Sequence, residues 1–63
     1  MGKEFKVENR RTFKVLVVED TATSRHLLVH ILRQRGYEVG IATNGLEALD
    51  KLSQESFDLV LLD

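Results

Sequence analysis

Val15-Leu16-Val17-Val18-Glu19-Asp20 reads as a buried strand that stops at a pair of acids. The run is short and rich in β-branched residues, which favours a strand, and its lack of alternation indicates burial on both faces. A second run, Leu59-Val60-Leu61-Leu62, has the same character and also ends in an acid, Asp63. Between the two lie segments of different periodicity. Residues 22–35 predict a helix with Leu28, Ile31, Leu32 and Arg35 along one stripe and Ala22 near its start. Asp20 or Thr21 can cap that helix, and Gly36 suits the left-handed position that ends it. Tyr37, Val39 and Ile41 then alternate with Glu38 and Gly40, the pattern of a strand with one drier face, as at a sheet edge. Asn44 opens a second helix, with Glu47 three residues on as in a capping box. Ala48, Leu49 and Leu52 form its apolar stripe, Glu47 and Lys51 make a favourable i,i+4 pair, and Ser53 to Ser56 is a polar exit.

Strands alternating with helices imply a parallel sheet, so the expected architecture is β-α-β-α-β. The two doubly buried runs and the edge-like second strand fit the spatial order 2-1-3, with the first strand central. Right-handed crossovers then place the two helices on opposite faces of a doubly wound sheet. The chain reverses direction between strands 1 and 3, and in open α/β sheets the crevice beyond that switch point is where ligands bind. Glu19 and Asp20 end strand 1 and Asp63 ends strand 3, so the topology brings three carboxylates to one crevice. Three anions this close repel unless compensated. A hard divalent cation such as Mg²⁺, which takes oxygen ligands and keeps waters that phosphate oxygens can replace, is the natural compensation. A carboxylate beside such a metal can attack a phosphoryl group and form an acyl phosphate.

Composition narrows the choice further. The chain has 63 residues, which allows one domain at most, and a core of marginal size. There is no cysteine, so disulfides, thiolate zinc sites and cysteine nucleophiles are excluded. Apolar residues make up 43% and charged residues 30%, too apolar for a disordered chain. A net charge of −1 recruits neither nucleic acid nor anionic membrane globally. No apolar run approaches the roughly 18 residues of a membrane span, and the charged start is not a signal peptide. Lys6 stands where a myristoylation motif wants Ser or Thr. Residues 1–12 read as a flexible charged tail, leaving 13–63 as the folded part.

Taken together, residues 15–20, Gly36-Tyr37-Glu38-Val39, Ala42-Thr43-Asn44-Gly45-Leu46-Glu47-Ala48-Leu49 and Asp58 to Asp63 resemble the first half of a bacterial response-regulator receiver domain. The resemblance covers residues 13–63. It implies a flavodoxin-like fold; receiver domains are themselves a known instance of the switch-point rule. It also implies a regulatory phosphoacceptor in a two-component phosphorelay rather than an enzyme, acting in the cytoplasm. Asp63 falls on the family's phosphoacceptor, which takes a phosphoryl group from a phosphohistidine on a sensor histidine kinase or a phosphotransfer protein. Asp20 falls on the direct Mg²⁺ ligand and Glu19 on the other acid of the pair, which usually acts through water. Complete receivers have strand order 2-1-3-4-5. The hydroxyl residue ending their fourth strand, the lysine ending their fifth, and the carbonyl two residues beyond the acceptor have no counterpart in these 63 residues. The expectation is therefore an incomplete receiver domain that carries the carboxylates of the site but is not a competent switch alone.

Other readings are weaker or of another class. Asp20 can be a cap only, and Asp63 a solvated end. Asn44-Gly45 can make a hairpin turn, but no strand follows it directly, so a helix start is preferred. His26 and His30 have metal-ligand spacing, yet they project away from the helix stripe and lack a third ligand, which favours a solvated face. Arg25, Arg33 and Arg35 can form a small basic patch for a partner, with solubility the default. A non-catalytic assembly module that self-associates through the unpaired edge of strand 3 is the main alternative. A dinucleotide-binding half would need a Gly-rich turn after strand 1, where Glu19-Asp20-Thr21-Ala22-Thr23-Ser24 stands instead.

Overall fold

The computed structural model describes residues 12–62; residues 1–11, most of the expected tail, and Asp63 lie outside the described residues. Strand β1 (Lys14–Val18) is followed by helix α1 (Ala22–Gln34), strand β2 (Glu38–Ala42), helix α2 (Gly45–Gln54) and strand β3 (Leu59–Leu62). The sheet is parallel with order β2-β1-β3, so the central place of the first strand and the flavodoxin-like architecture follow the sequence pattern. Val15 sits opposite Val39 and Leu59, and Val18 opposite Ala42 and Leu62.

The pleat of β1 divides the core in two. Val15 and Val17 pack with Val29, Leu28 and Leu32 of α1 and with Val39 and Leu61. Leu16 and Val18 pack on the other face with Ala42, Ala48 of α2 and Phe57. The helices thus lie on opposite faces, as right-handed crossovers require. All four residues Val15–Val18 are buried, which bears out the reading of a strand covered on both sides.

Leu59–Leu62 does not share that environment. Leu59, Val60 and Leu62 are exposed and only Leu61 is half-buried, because both helices pack on β1 and β2 and neither covers β3 among the described residues. The helix stripes also differ from their predicted composition. In α1 the sheet-facing line is Leu28, Val29 and Leu32; Ile31 lies about 100° round the helix from Leu32 and, like Ala22 and Arg35, is exposed. In α2 only Ala48 is buried, and Leu49, 66% exposed, turns away from the sheet for the same angular reason. Helix α2 extends through Ser53 and Gln54, into the segment expected to be its exit. Lys51 meets Glu55 at 4.0 Å instead of pairing with Glu47. In β2 the drier face is not Tyr37, Val39 and Ile41. Val39 is half-buried under α1, whereas Gly40 and fully buried Ala42 carry the α2 face, and Tyr37 and Ile41 are exposed.

Two glycines are used for their backbones. Gly36 has φ +88°, ending α1 in a reverse turn in which its N–H donates to the Arg33 carbonyl and that of Tyr37 to the Leu32 carbonyl. Gly40 makes room for Phe57: a Cβ there would lie 2.7 Å from the ring's Cε1 and 2.8 Å from Cζ. Lys14 fastens the same end of the sheet. Its N–H donates to Asp58 Oδ2 and its carbonyl accepts from the Asp58 N–H, each at 2.7 Å. Its Nζ reaches Glu55 Oε1 at 2.7 Å and stands 5.0 Å above the Phe57 ring.

Replacing Gly40 by Ala forces the Phe57 ring out of its seat, so Gly40→Ala is expected to cost about 1–3 kcal/mol by urea denaturation, with Phe57→Leu relieving part of that cost in the double variant. The Lys14 hydrogen bond holds the Glu55 carboxyl below its ordinary 4.5 and raises the Lys14 ammonium above 10.5. A depressed carboxyl stabilises the fold above its unfolded pKa and loses that contribution as pH falls through the folded value. The urea midpoint should therefore decline below about pH 4.5, less steeply in Glu55→Gln and less steeply in high salt, which screens so exposed a pair.

Candidate functional site

The site lies beyond the C-terminal ends of the strands, between the turns that follow β1 and β2. The first turn is set by Glu19. Its N–H donates to the Ala42 carbonyl at 3.0 Å, extending the sheet by one residue. The residue is only 5% exposed. Oε2 accepts from the Thr21 N–H at 3.1 Å, while Oε1 is buried with no hydrogen-bond partner among the described residues. An ionised oxygen in that position is costly unless something outside the chain's own donors meets it. Asp20, the next residue, is exposed, and its Oδ1 accepts a long 3.4 Å bond from the Thr21 hydroxyl.

Thr21 occupies the N-cap position of α1 but makes no side-chain cap bond. The capping role expected of Asp20 or Thr21 is thus unfilled, and of the two acids only Glu19 meets the helix start, through the N–H of Thr21 itself. Arg25, one turn into α1, is half-buried and directs Nη1 to the Glu19 carbonyl at 2.9 Å. It does not join Arg33 and Arg35 in an exposed basic patch. His26 and His30 are exposed on α1, as the solvated-face reading predicts.

The second turn is built by Asn44 and Glu47. Asn44 caps α2, its Oδ1 accepting from the Glu47 N–H at 2.8 Å. The Glu47 carboxylate reaches back one residue further than in a capping box, with Oε1 accepting from both the N–H and the hydroxyl of Thr43 at 2.7 Å. Chiefly through the Thr43 N–H, this holds the Glu47 carboxyl below its ordinary value. Glu47 is therefore committed to Thr43, which explains why its expected partner Lys51 turns elsewhere.

Val18, Glu19, Asp20, Thr43, Asn44, Gly45 and Leu62 enclose an open cleft of about 290 Å³ between these turns. The structure brings Glu19 and Asp20 together there. Asp63, the third predicted carboxylate, lies outside the described residues; its chain neighbour Leu62 lines the cleft. Among the described residues no group of three His, Cys, Asp or Glu could hold a metal ion. The side chains present are nevertheless those of a hard-cation site: two adjacent carboxylates, no His or Cys in the lining, one buried oxygen without a partner among the described residues, and an open side for water. Mg²⁺ commonly needs only one or two protein carboxylates, so the residues fit it.

The sequence reading missed Thr43 and Asn44 as walls of the cleft and Arg25 as its rear support. The switch-point rule did not point to the wall residues: it places the crevice between β1 and β3, whereas Thr43 and Asn44 follow β2 on the other side of β1. The role of Arg25 carried no local signal, since its partner is a main-chain carbonyl six residues away.

A family model described as the response regulator receiver domain matches residues 15–63. The chain is 47% identical over 49 residues to the transcriptional regulatory protein ZraR of Klebsiella oxytoca, covering 78% of this chain and 11% of that one. It is 46% identical over 50 residues to the sporulation initiation phosphotransferase F of Bacillus subtilis, covering 79% of this chain and 40% of that one. It is also 38% identical over 56 residues to the autoinducer sensor kinase/phosphatase CqsS of Vibrio cholerae, covering 89% and 8% respectively. The chain therefore spans well under half the length of each of these relatives. No solved structure matches it significantly.

Proposed function

The chain belongs to the response regulator receiver domain family of two-component signal transduction, and from that premise we propose that Glu19, Asp20 and Asp63 form a Mg²⁺-dependent phosphoacceptor site, with Asp63 the residue modified. The observation that carries this reading is the buried Oε1 of Glu19, without a hydrogen-bond partner among the described residues, next to exposed Asp20 in the lining of an open cleft. Receiver domains generally bind Mg²⁺, and here Glu19, Asp20 and Asp63 are the residues that would hold it. When bound, the cation supplies charge neutralisation to an acidic cleft and to the incoming phosphoryl oxygens.

The rest of the mechanism belongs to the chain. Residue 63 follows Leu62 in sequence, and Leu62 pairs with Val18 at the end of the central strand, where the Glu19-Asp20 turn begins. An Asp63 carboxylate oxygen attacks phosphorus, forming a P–O bond as the P–N bond of a phosphohistidine breaks and its electron pair returns to the imidazole. The cleft is open, so a partner protein's side chain can enter in line. The Thr43 and Asn44 turn, fixed by Glu47, forms the facing wall. The partner is a sensor histidine kinase or a phosphotransfer protein, a class to which relatives such as CqsS lend support by name. A cytoplasmic location belongs to the same proposal. No helix among the described residues is long and apolar enough to cross a membrane.

Incubation of the chain with Mg²⁺ and a small phosphodonor, followed by peptide mass spectrometry, tests the assignment. Expected is a slow, hydroxylamine-labile phosphate adduct on Asp63, absent in Asp63→Asn, reduced about tenfold or more in Asp20→Asn, and abolished by a chelator. An adduct on another residue, or none at all, overturns it.

A further inference from the structure

We propose that Arg25 is a positioning residue for the acid pair, holding the backbone of Glu19 so that its carboxylate keeps its place in the lining of the cleft. The inference rests on the Mg²⁺ site proposed above and extends it to a residue outside the carboxylates.

Glu19 is held from both sides of its backbone. Its N–H is fixed to the Ala42 carbonyl at 3.0 Å and its carbonyl to Arg25 Nη1 at 2.9 Å. The first bond belongs to the sheet. The second is a charge-assisted bond from a half-buried guanidinium, the stronger kind of hydrogen bond. Between these two anchors the side chain has one oxygen on the Thr21 N–H and the other buried without a partner among the described residues. A buried carboxylate with a free oxygen would relax toward solvent if its backbone could rotate. The missing side-chain cap on α1 leaves this turn without its usual restraint, and the Arg25 bond stands in that place.

Two roles for Arg25 predict opposite results. A guanidinium near a cation site repels the cation, so a purely electrostatic role means that its removal tightens Mg²⁺ binding. A positioning role means that removal loosens it. Ligand-supporting hydrogen bonds of this kind are typically worth about tenfold or more in metal affinity.

The test compares the full 63-residue chain with Arg25→Met and Arg25→Lys, reading Mg²⁺ affinity by calorimetry and, without metal, amide hydrogen exchange at Thr21, with Leu16 as the folding control. Expected are about tenfold weaker Mg²⁺ binding in Arg25→Met, faster Thr21 exchange there with Leu16 unchanged, and recovery of both in Arg25→Lys. Unchanged or tighter Mg²⁺ binding in Arg25→Met, or unchanged Thr21 exchange, overturns the proposal. If the unsubstituted chain binds no Mg²⁺, the site reading of the previous subsection fails, and Thr21 exchange alone decides whether Arg25 holds the turn. Should Arg25→Met lose Leu16 protection, Arg25→Gln, which keeps a donor without the charge, is judged by the same two readouts.

Discussion

The burial of Val15–Val18 in β1 is the constraint on which the rest depends. Val15, Leu16 and Val17 are almost inaccessible, and they can be so only with a strand on each side and a helix on each face. That single requirement sets the sheet order, separates the helices and divides the core into two small clusters. It also fixes where the strand must end. Glu19 is the last residue still hydrogen-bonded to the neighbouring strand, and it is the first charged residue after the apolar run Val15–Val18. The chain passes from its driest environment to its most polar within one residue, and the cleft opens at that step.

The cleft is arranged at some cost to stability. Burying one carboxylate oxygen without a donor is unfavourable, and a helix N-terminus that lacks its side-chain cap forgoes about 1 kcal/mol of ordinary stabilisation. The opposite wall is built differently. There Asn44, Glu47 and Thr43 are tied to one another by three hydrogen bonds. One side of the cleft is a finished structural turn, and the other keeps acids whose bonds are few and long, with one Glu19 oxygen unpaired among the described residues. That asymmetry is what a binding site needs: a rigid wall facing groups that are free to take a ligand.

The order of elements, the parallel sheet, the 2-1-3 arrangement and the acids at the end of β1 were all legible in the sequence, because they follow from periodicity, run length and crossover geometry. The side-chain environments were less so. Leu59–Leu62 has the composition of a buried strand, but burial depends on what packs against it, and both helices sit over β1 and β2. Val29 against Ile31, and Ala48 against Leu49, are decided by a rotation of the helix of a single residue's worth, which a short apolar stripe does not specify. Gly40 and Phe57 are far apart in sequence and are intelligible only once one sits over the other. Arg25 looks like a solvent-facing cation until its carbonyl partner is known. What the sequence lacks in each case is a long-range contact, not a local preference.

The central claim is that Glu19, Asp20 and Asp63 act as one oxygen-ligand site at the switch point of the sheet. A Mg²⁺ titration followed by backbone amide resonances tests it most directly. The account predicts that the amides of Glu19, Asp20, Thr21 and Asp63 shift together along one saturable curve, while those of His26 and His30 on the exposed side of α1 do not move. Shifts at Glu19 and Asp20 without Asp63, or small unsaturating shifts scattered over all the acidic residues, would contradict it.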